Sequence, residues 1–104
     1  MMPFPQQTPR VFNRANVEAI NPGQKGCYGL VRREVLCGLV KPDVWVYVGK
    51  GDIRERLLAH LSGDNPCITG QAATHYVTAL TQNMDQMETD LIWGLMPVCN
   101  KKVG

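Results

Sequence analysis

The stretch VWVYVGKGDIRERLLAHL, residues 44–61, places a strand and a helix almost end to end. Its first five residues are β-branched or aromatic, which is typical of a well-buried strand. Asp52 then predicts a helix start, with Glu55 three residues later in a capping-box pattern. Apolar residues recur one helical turn apart, at Ile53, Leu57 and Leu61. A strand that runs directly into such a helix favours an α/β domain in which helices pack on a sheet.

Two more strands and two more helices are predicted along the chain. Residues 26–34 and 74–80 have the alternation of strands. A short helix follows Asn13, which can cap it, and residues 84–95 predict the last helix, whereas residues 64–73 predict a loop. Because the connection between the first two strands is short, they are expected to form an antiparallel pair in a sheet of about three strands.

The length of 104 residues predicts one domain. Residues 1–12, rich in proline and glutamine, predict a flexible N-terminal arm, and residues 13–104 the folded domain. Residues 35–43 predict a strand end or a long turn. Since neither a bilayer-length apolar run nor a signal peptide is recognisable, we expect a cytoplasmic protein without a membrane partner. We also expect a monomer or a weak homodimer.

The four cysteines lack the spacing of a zinc site. Their even number allows two disulfides, but without a secretion signal we expect four thiols in a reducing compartment. The net charge of +2 is compatible with a polyanionic partner without arguing for one. Any affinity for phosphate must therefore come from where the charges lie.

Glu88 interrupts the apolar stripe of the last predicted helix. With successive residues about 100° apart, Glu88 lies about 20° from Leu95 and about 40° from Ile92. A buried carboxylate without a partner is costly. Three explanations remain open: a capping box that begins at Asp85, an ion pair with an arginine, or a hard cation, which favours carboxylate oxygen.

Other polar residues form a suggestive set. Arg56 and His60 are four apart on one helix and lie at the edge of its apolar stripe, while Tyr28 and Tyr47 lie in strands. Each has a plain structural explanation, as an arginine with a packed stem, a structural histidine or a packed phenol. Together with Glu88, however, they are what phosphodiester hydrolysis needs: a metal ligand, a phosphate clamp and proton-transfer groups.

The sequence resembles the GIY-YIG nuclease superfamily at five places in the same order. GCY at 26–28 stands where the family has Gly-Ile-Tyr, and YVG at 47–49 stands where it has Tyr-Ile-Gly. RLLAH at 56–60 matches the helix arginine and the histidine that some branches carry one turn later. ETDLI at 88–92 and PVCN at 97–100 match the glutamate, its apolar helix and the Pro-x-x-Asn ending. Isoleucine is replaced by Cys27 and Val48, both apolar.

The resemblance implies a compact α/β domain with a small three-stranded antiparallel sheet flanked by helices. It also implies an active metal-dependent endonuclease that uses one Mg²⁺ or Mn²⁺ held by Glu88. The residues implied to be catalytic are Tyr28, Tyr47, Arg56, His60 and Glu88. Those implied to bind or support the substrate are Gly49, Lys50 and Asn100.

In the mechanism that we expect, Tyr28 activates water and its proton passes towards His60 or Lys50. Arg56 stabilises the pentacovalent phosphorane, and Tyr47 positions the phosphate or the water. DNA is the expected partner, although the sequence does not separate DNA from RNA or single strands from duplexes. The alternative is a nucleic-acid-binding module on the same fold that does not cut, and a third explanation is a small structural protein.

Overall fold

A computed structural model describes residues 9–40 and 42–100 of the chain. Within them, strands and helices follow one another along the sequence as β1 (Arg10–Val11), α1 (Arg14–Glu18), β2 (Lys25–Arg32), β3 (Val35–Leu36), β4 (Leu39–Val40), β5 (Val44–Asp52), α2 (Ile53–Leu61), α3 (Pro66–Gln71), β6 (His75–Leu80) and α4 (Met84–Leu95). β5 passes into α2 without an intervening residue, and Asp52 caps the helix by accepting a hydrogen bond from the backbone N–H of Glu55.

An antiparallel sheet with the strand order β1-β6-β2-β5 forms the centre of the fold. The three predicted strands are confirmed as β2, β5 and β6, but the sheet has four strands instead of three. The added strand, β1, pairs Arg10 with Tyr76 and Val11 with His75, inside the stretch predicted to be a flexible arm. Two residues are too few to show an alternating pattern. Residues 1–8 of the predicted arm lie outside the described part of the chain.

Two connections are more ordered than the sequence predicted. β3 and β4 pair as a separate hairpin between β2 and β5. The predicted loop at residues 64–73 is wrong, because α3 forms there. The side chain of Asn65 accepts hydrogen bonds from the backbone N–H groups of Cys67 and Ile68, and Pro66 occupies the first turn, where its missing N–H costs nothing.

Helices cover both faces of the sheet. We call the face that carries α1, α2 and α3 the α2 face; its core includes Tyr28, Leu30 and Leu57. The opposite α4 face packs Cys27, Val48 and Val77 against Leu91 of α4. Residues that alternate along β2 and β5 therefore enter two different cores, and a site that uses both faces must form at an edge of the sheet or at the ends of its strands.

An irregularity in β5 decides where Tyr47 points. Leu30 pairs with Tyr47 and Val31 with Trp45, so Val46 is an extra residue in the pairing. Such a bulge re-aims the side chains of its strand. Val46 and Tyr47 accordingly both pack into the core of the α2 face, which brings Tyr47 to the same side as Tyr28.

The cysteines depart from the prediction of four free thiols. Cys67 and Cys99 form a disulfide between α3 and the segment after α4, whereas Cys27 is a buried thiol and Cys37 an exposed one. The prediction failed because the pair is 32 residues apart in sequence and only the fold brings it together. The cysteines therefore no longer argue for a reducing compartment. Across residues 9–40 and 42–100, no helix is long and apolar enough to cross a membrane.

Candidate active site

A chain of three polar side chains lies on the α2 face. The hydroxyl of Tyr28 is 2.7 Å from Nε2 of His60, and Nδ1 of His60 is 2.8 Å from a carboxylate oxygen of Asp64. Tyr28 is fully buried and His60 is 4% exposed, whereas the Asp64 side chain is 36% exposed. A phenol deep in the core is thus connected through an imidazole to a carboxylate at the surface.

The glycine of the second sequence motif makes room for Tyr28. Gly49 pairs with Tyr28 across β2 and β5, and a Cβ at Gly49 would collide with the phenol ring. Beside it, the Tyr47 ring packs 6.2 Å from that of Tyr28 and 5.2 Å from that of His60, measured between ring centroids. The spacing of the two motifs therefore corresponds to one packed aromatic cluster.

Burial shifts the pKa values of the residues in this cluster. It raises the pKa of Tyr28 far above its usual range, with a further increase from Tyr47 and an opposing effect of Arg56. The pKa of Tyr47 is raised by burial as well. The pKa of His60 is lowered, chiefly by burial, which outweighs the attraction of Asp64 for a proton on the ring. Near neutral pH the phenols are consequently protonated and His60 is a neutral imidazole.

Arg56 connects this cluster to the surface. Its guanidinium lies 4.0 Å from the Asp64 carboxylate, and its side chain is 43% exposed. Interaction with Tyr28 raises the pKa of Arg56, so the side chain carries its positive charge at all relevant pH values. A partly exposed guanidinium beside a buried phenol is available to bind an anion from solution.

Glu88 lies on the α4 face with Lys50. The two charged groups are 3.6 Å apart, and Lys50 also pairs with Asp85. The Glu88 side chain is only 23% exposed. The capping-box explanation is wrong, because Asn83 occupies the N-cap position and Glu88 lies in the second turn of α4. The partner of the carboxylate is a lysine and not the arginine that the sequence suggested as one option.

The predicted site residues thus form two groups. Tyr28, Tyr47, Arg56 and His60 come together on the α2 face, and Glu88 and Lys50 come together on the α4 face. Among the described residues, no hydrogen bond or ion pair joins the two groups. Their link is β5, which carries Tyr47, Gly49 and Lys50, and the charge of Glu88 does reach Tyr47, whose pKa it helps to raise.

Asn100 has a positioning role at the sheet edge. Its side-chain oxygen accepts a hydrogen bond from Val48 N–H, and its side-chain nitrogen donates one to the Val48 carbonyl. The backbone N–H groups of Val98 and Cys99 donate to Trp45 and Val46. The segment after α4 therefore covers the outer edge of β5, and the Asn100 amide supports the strand between Tyr47 and Gly49.

Asp64 is a member of the cluster that sequence reasoning missed. It lies four residues after His60, a spacing that brings side chains together on a helix, but Asp64 belonged to the predicted loop at residues 64–73. α2 ends at Leu61, and the chain folds back after it so that the spacing still brings the two side chains into contact. The His-x-x-x-Asp pattern was the available signal.

The site has few side chains that could bind a divalent cation. Among residues 9–40 and 42–100, no group of three or more His, Cys, Asp or Glu side chains is placed to hold a metal. Mg²⁺, however, commonly uses one or two carboxylates, several waters and substrate phosphate. The partly exposed oxygens of Glu88, with Asp85 one turn away, fit such a shared site but not a cage built from protein alone.

Comparisons with family models, with curated proteins and with solved structures find no match to this chain. Membership of the GIY-YIG superfamily therefore stays a prediction from the five sequence motifs. The function has to be argued from the two groups of side chains.

Proposed function

We propose that the chain is a metal-dependent endonuclease of the GIY-YIG type that acts on nucleic acid, with DNA as the expected substrate. The observation that carries the proposal is the hydrogen bond of the buried Tyr28 hydroxyl to His60, beside the exposed charge of Arg56. A phenol, a neutral imidazole and a partly exposed guanidinium are an unusual combination for a purely structural core. They match the needs of a reaction in which charge develops on phosphorus.

Phosphate is bound in this proposal by one cation from each face of the sheet. Arg56 belongs to the α2 face, and Lys50, whose side chain is 39% exposed, belongs to the α4 face. A backbone phosphate at the end of β5 would lie between them. Because a guanidinium can bind two phosphate oxygens at once, Arg56 is the better clamp for the transition state, and Lys50 acts as a point charge.

Glu88 would hold the divalent cation, with Asp85 near enough to hold one of its waters. When bound, Mg²⁺ or Mn²⁺ supplies Lewis-acid polarisation of the phosphate and charge neutralisation at the leaving oxygen. Lys50 keeps the carboxylate partnered in the free protein. Binding of phosphate gives Lys50 a further anion beside Asp85 and Glu88, which frees Glu88 oxygens.

The proton of the attacking water would pass through Tyr28 to His60. Because Tyr28 is fully buried, this step requires a side chain to move away from the phenol, and the partly exposed Arg56 is the neighbour able to do so on binding phosphate. His60, not Lys50, is the proton acceptor in this scheme, since its Nε2 contacts the Tyr28 hydroxyl while Lys50 pairs with Asp85 and Glu88.

The test is digestion of end-labelled single-stranded DNA, duplex DNA, flap DNA and RNA, each with Mg²⁺, with Mn²⁺ and with EDTA. We expect internal cleavage of at least one of these substrates, and we expect EDTA to abolish that cleavage. Binding in a gel-shift assay without cleavage under any condition would favour the non-catalytic binding module. Neither binding nor cleavage would favour a structural role.

A further inference from the structure

The end of α2 turns a surface carboxylate towards His60. Gly63 has a positive φ of +86°, its N–H donates to the His60 carbonyl, and the N–H of Asp64 donates to the Ala59 carbonyl. This is a Schellman motif, which requires a left-handed residue and reverses the chain direction. The reversal places the Asp64 carboxylate 2.8 Å from Nδ1 of His60.

The chemistry of the two neighbours fixes the tautomer of His60. An ionised carboxylate can only accept hydrogen bonds, so the Nδ1 that contacts Asp64 must carry the proton. In the neutral ring, Nε2 is then a bare acceptor, and the hydroxyl of Tyr28 donates to it. The opposite tautomer would place a lone pair of Nδ1 against the carboxylate oxygen.

We propose that Asp64 is a positioning residue that holds His60 in the Nδ1–H tautomer, so that Nε2 receives the phenolic proton of Tyr28 during cleavage. The catalytic part of this inference rests on the proposed nuclease function. In the step, an O–H bond of water breaks and its proton forms a new O–H bond with Tyr28. The original Tyr28 proton moves to Nε2, the hydroxide oxygen bonds to phosphorus, and the P–O bond to the leaving oxygen breaks with its electron pair kept on that oxygen. The leaving oxygen takes a proton from solvent, and Nε2 returns its own proton to solvent before the next cycle.

The groups that face His60 from the packed elements agree with this role. Tyr28 on β2 and Tyr47 on β5 are neutral and contribute no charge, while Arg56 and Asp64 oppose one another. Asp64 favours a proton on the ring and Arg56 disfavours it. The positive imidazolium that forms in the step is therefore stabilised mainly by Asp64.

The direct test is ¹⁵N-detected NMR of the imidazole rings at pH 7.5. The chain contains two histidines, so His75 is an internal control, and His75→Gln assigns the signals. We expect a protonated Nδ1 and a bare Nε2 for His60 in the wild type. Asp64→Ala is expected to raise the population of the Nε2–H tautomer. In Asp64→Asn the side-chain carbonyl can still accept a hydrogen bond from Nδ1–H, so this population should lie between those of the wild type and Asp64→Ala. A wild-type His60 protonated at Nε2 would overturn the inference.

Cleavage assays supply the second readout. Asp64→Ala is expected to cleave about 10- to 100-fold more slowly, with Asp64→Asn partly rescued, and Asp90→Asn on the exposed side of α4 serves as the matched control with an unchanged rate. The acid limb of the pH–rate profile should move to lower pH in Asp64→Ala, since the carboxylate that favours the imidazolium is gone. An unchanged rate and profile would overturn the catalytic role. If the wild type does not cleave at all, the proposed function fails, while the NMR result still decides the tautomer.

Discussion

Gly49 lies directly opposite Tyr28 in the β2–β5 pair, and the space that a Cβ would need at Gly49 is filled by the phenol ring of Tyr28. Two residues that belong to different sequence motifs are therefore one packing unit. The buried phenol reaches His60 because the neighbouring strand has no side chain at that point.

Gly49→Ala is expected to lower the free energy of unfolding by about 1–3 kcal/mol, because the added methyl group forces the Tyr28 ring or the strands to shift. Urea denaturation followed by circular dichroism measures the change. The matched control is Gly94→Ala in α4, where a Cβ meets nothing within 4 Å and the free energy should stay the same or rise by up to about 1 kcal/mol. Equal effects of the two substitutions would contradict the packing relationship.

The Cys67–Cys99 disulfide closes a loop with a sequence separation of 32. Loop-closure entropy predicts that Cys67→Ser or Cys99→Ser lowers the free energy of unfolding by roughly 3–4 kcal/mol. Thermal melts with and without dithiothreitol measure it: the reductant should lower the Tm of the wild type and leave that of either variant unchanged. Cys37→Ser, which removes an exposed free thiol, should melt like the wild type. A wild-type Tm that is the same with and without dithiothreitol would contradict the presence of the disulfide.

Stability should fall as the pH drops below about 6.5, the ordinary pKa of histidine. Burial lowers the pKa of His60 in the folded chain, so the unfolded chain binds a proton that the folded chain does not. The free energy of unfolding then decreases by up to about 1.4 kcal/mol per pH unit between pH 6.5 and the lowered pKa. Urea titrations at pH 7.5 and 5.5 should show this decrease in the free energy of unfolding in the wild type and in His75→Gln but not in His60→Gln. If the same pH dependence of the free energy of unfolding remains in His60→Gln, it arises from another group.

The sequence was sufficient for the main elements because they are long and strongly patterned. The sequence correctly predicted three of them: strand β5, helix α2, which Asp52 caps, and helix α4. The elements that were missed are short. α3 has six residues and β1 has two, so neither offers a period to detect, although Asn65 and Pro66 are a recognisable helix start.

The site was predictable as a set of residues but not as an arrangement. Motif order indicated Tyr28, Tyr47, Arg56 and His60, which do meet. The separation of Glu88 onto the opposite face could not be predicted, because it depends on which side of the sheet α4 packs. The bulge at Val46 and the turn that aims Asp64 at His60 are likewise tertiary features.

Arg56→Lys tests the phosphate clamp. Lysine keeps the charge but loses the planar, bidentate geometry, so cleavage should fall on the order of 100-fold while substrate binding changes little. Arg14→Lys is the matched control, since the Arg14 side chain on α1 is exposed and pairs only with Glu18 among the described contacts. Single-turnover rates and gel-shift affinities separate the two effects. Equal rates for the two variants would remove Arg56 from the mechanism.

The most direct test of the central claim is the single-turnover cleavage rate of Glu88→Gln in Mg²⁺, measured beside the wild type and Glu55→Gln. Glu55 is an exposed carboxylate in the first turn of α2, so its substitution changes the charge equally without touching the site. We predict that Glu88→Gln loses at least about 100-fold in rate and keeps its fold by circular dichroism, while Glu55→Gln cleaves like the wild type. A folded Glu88→Gln that cleaves at the wild-type rate in Mg²⁺ would contradict the account.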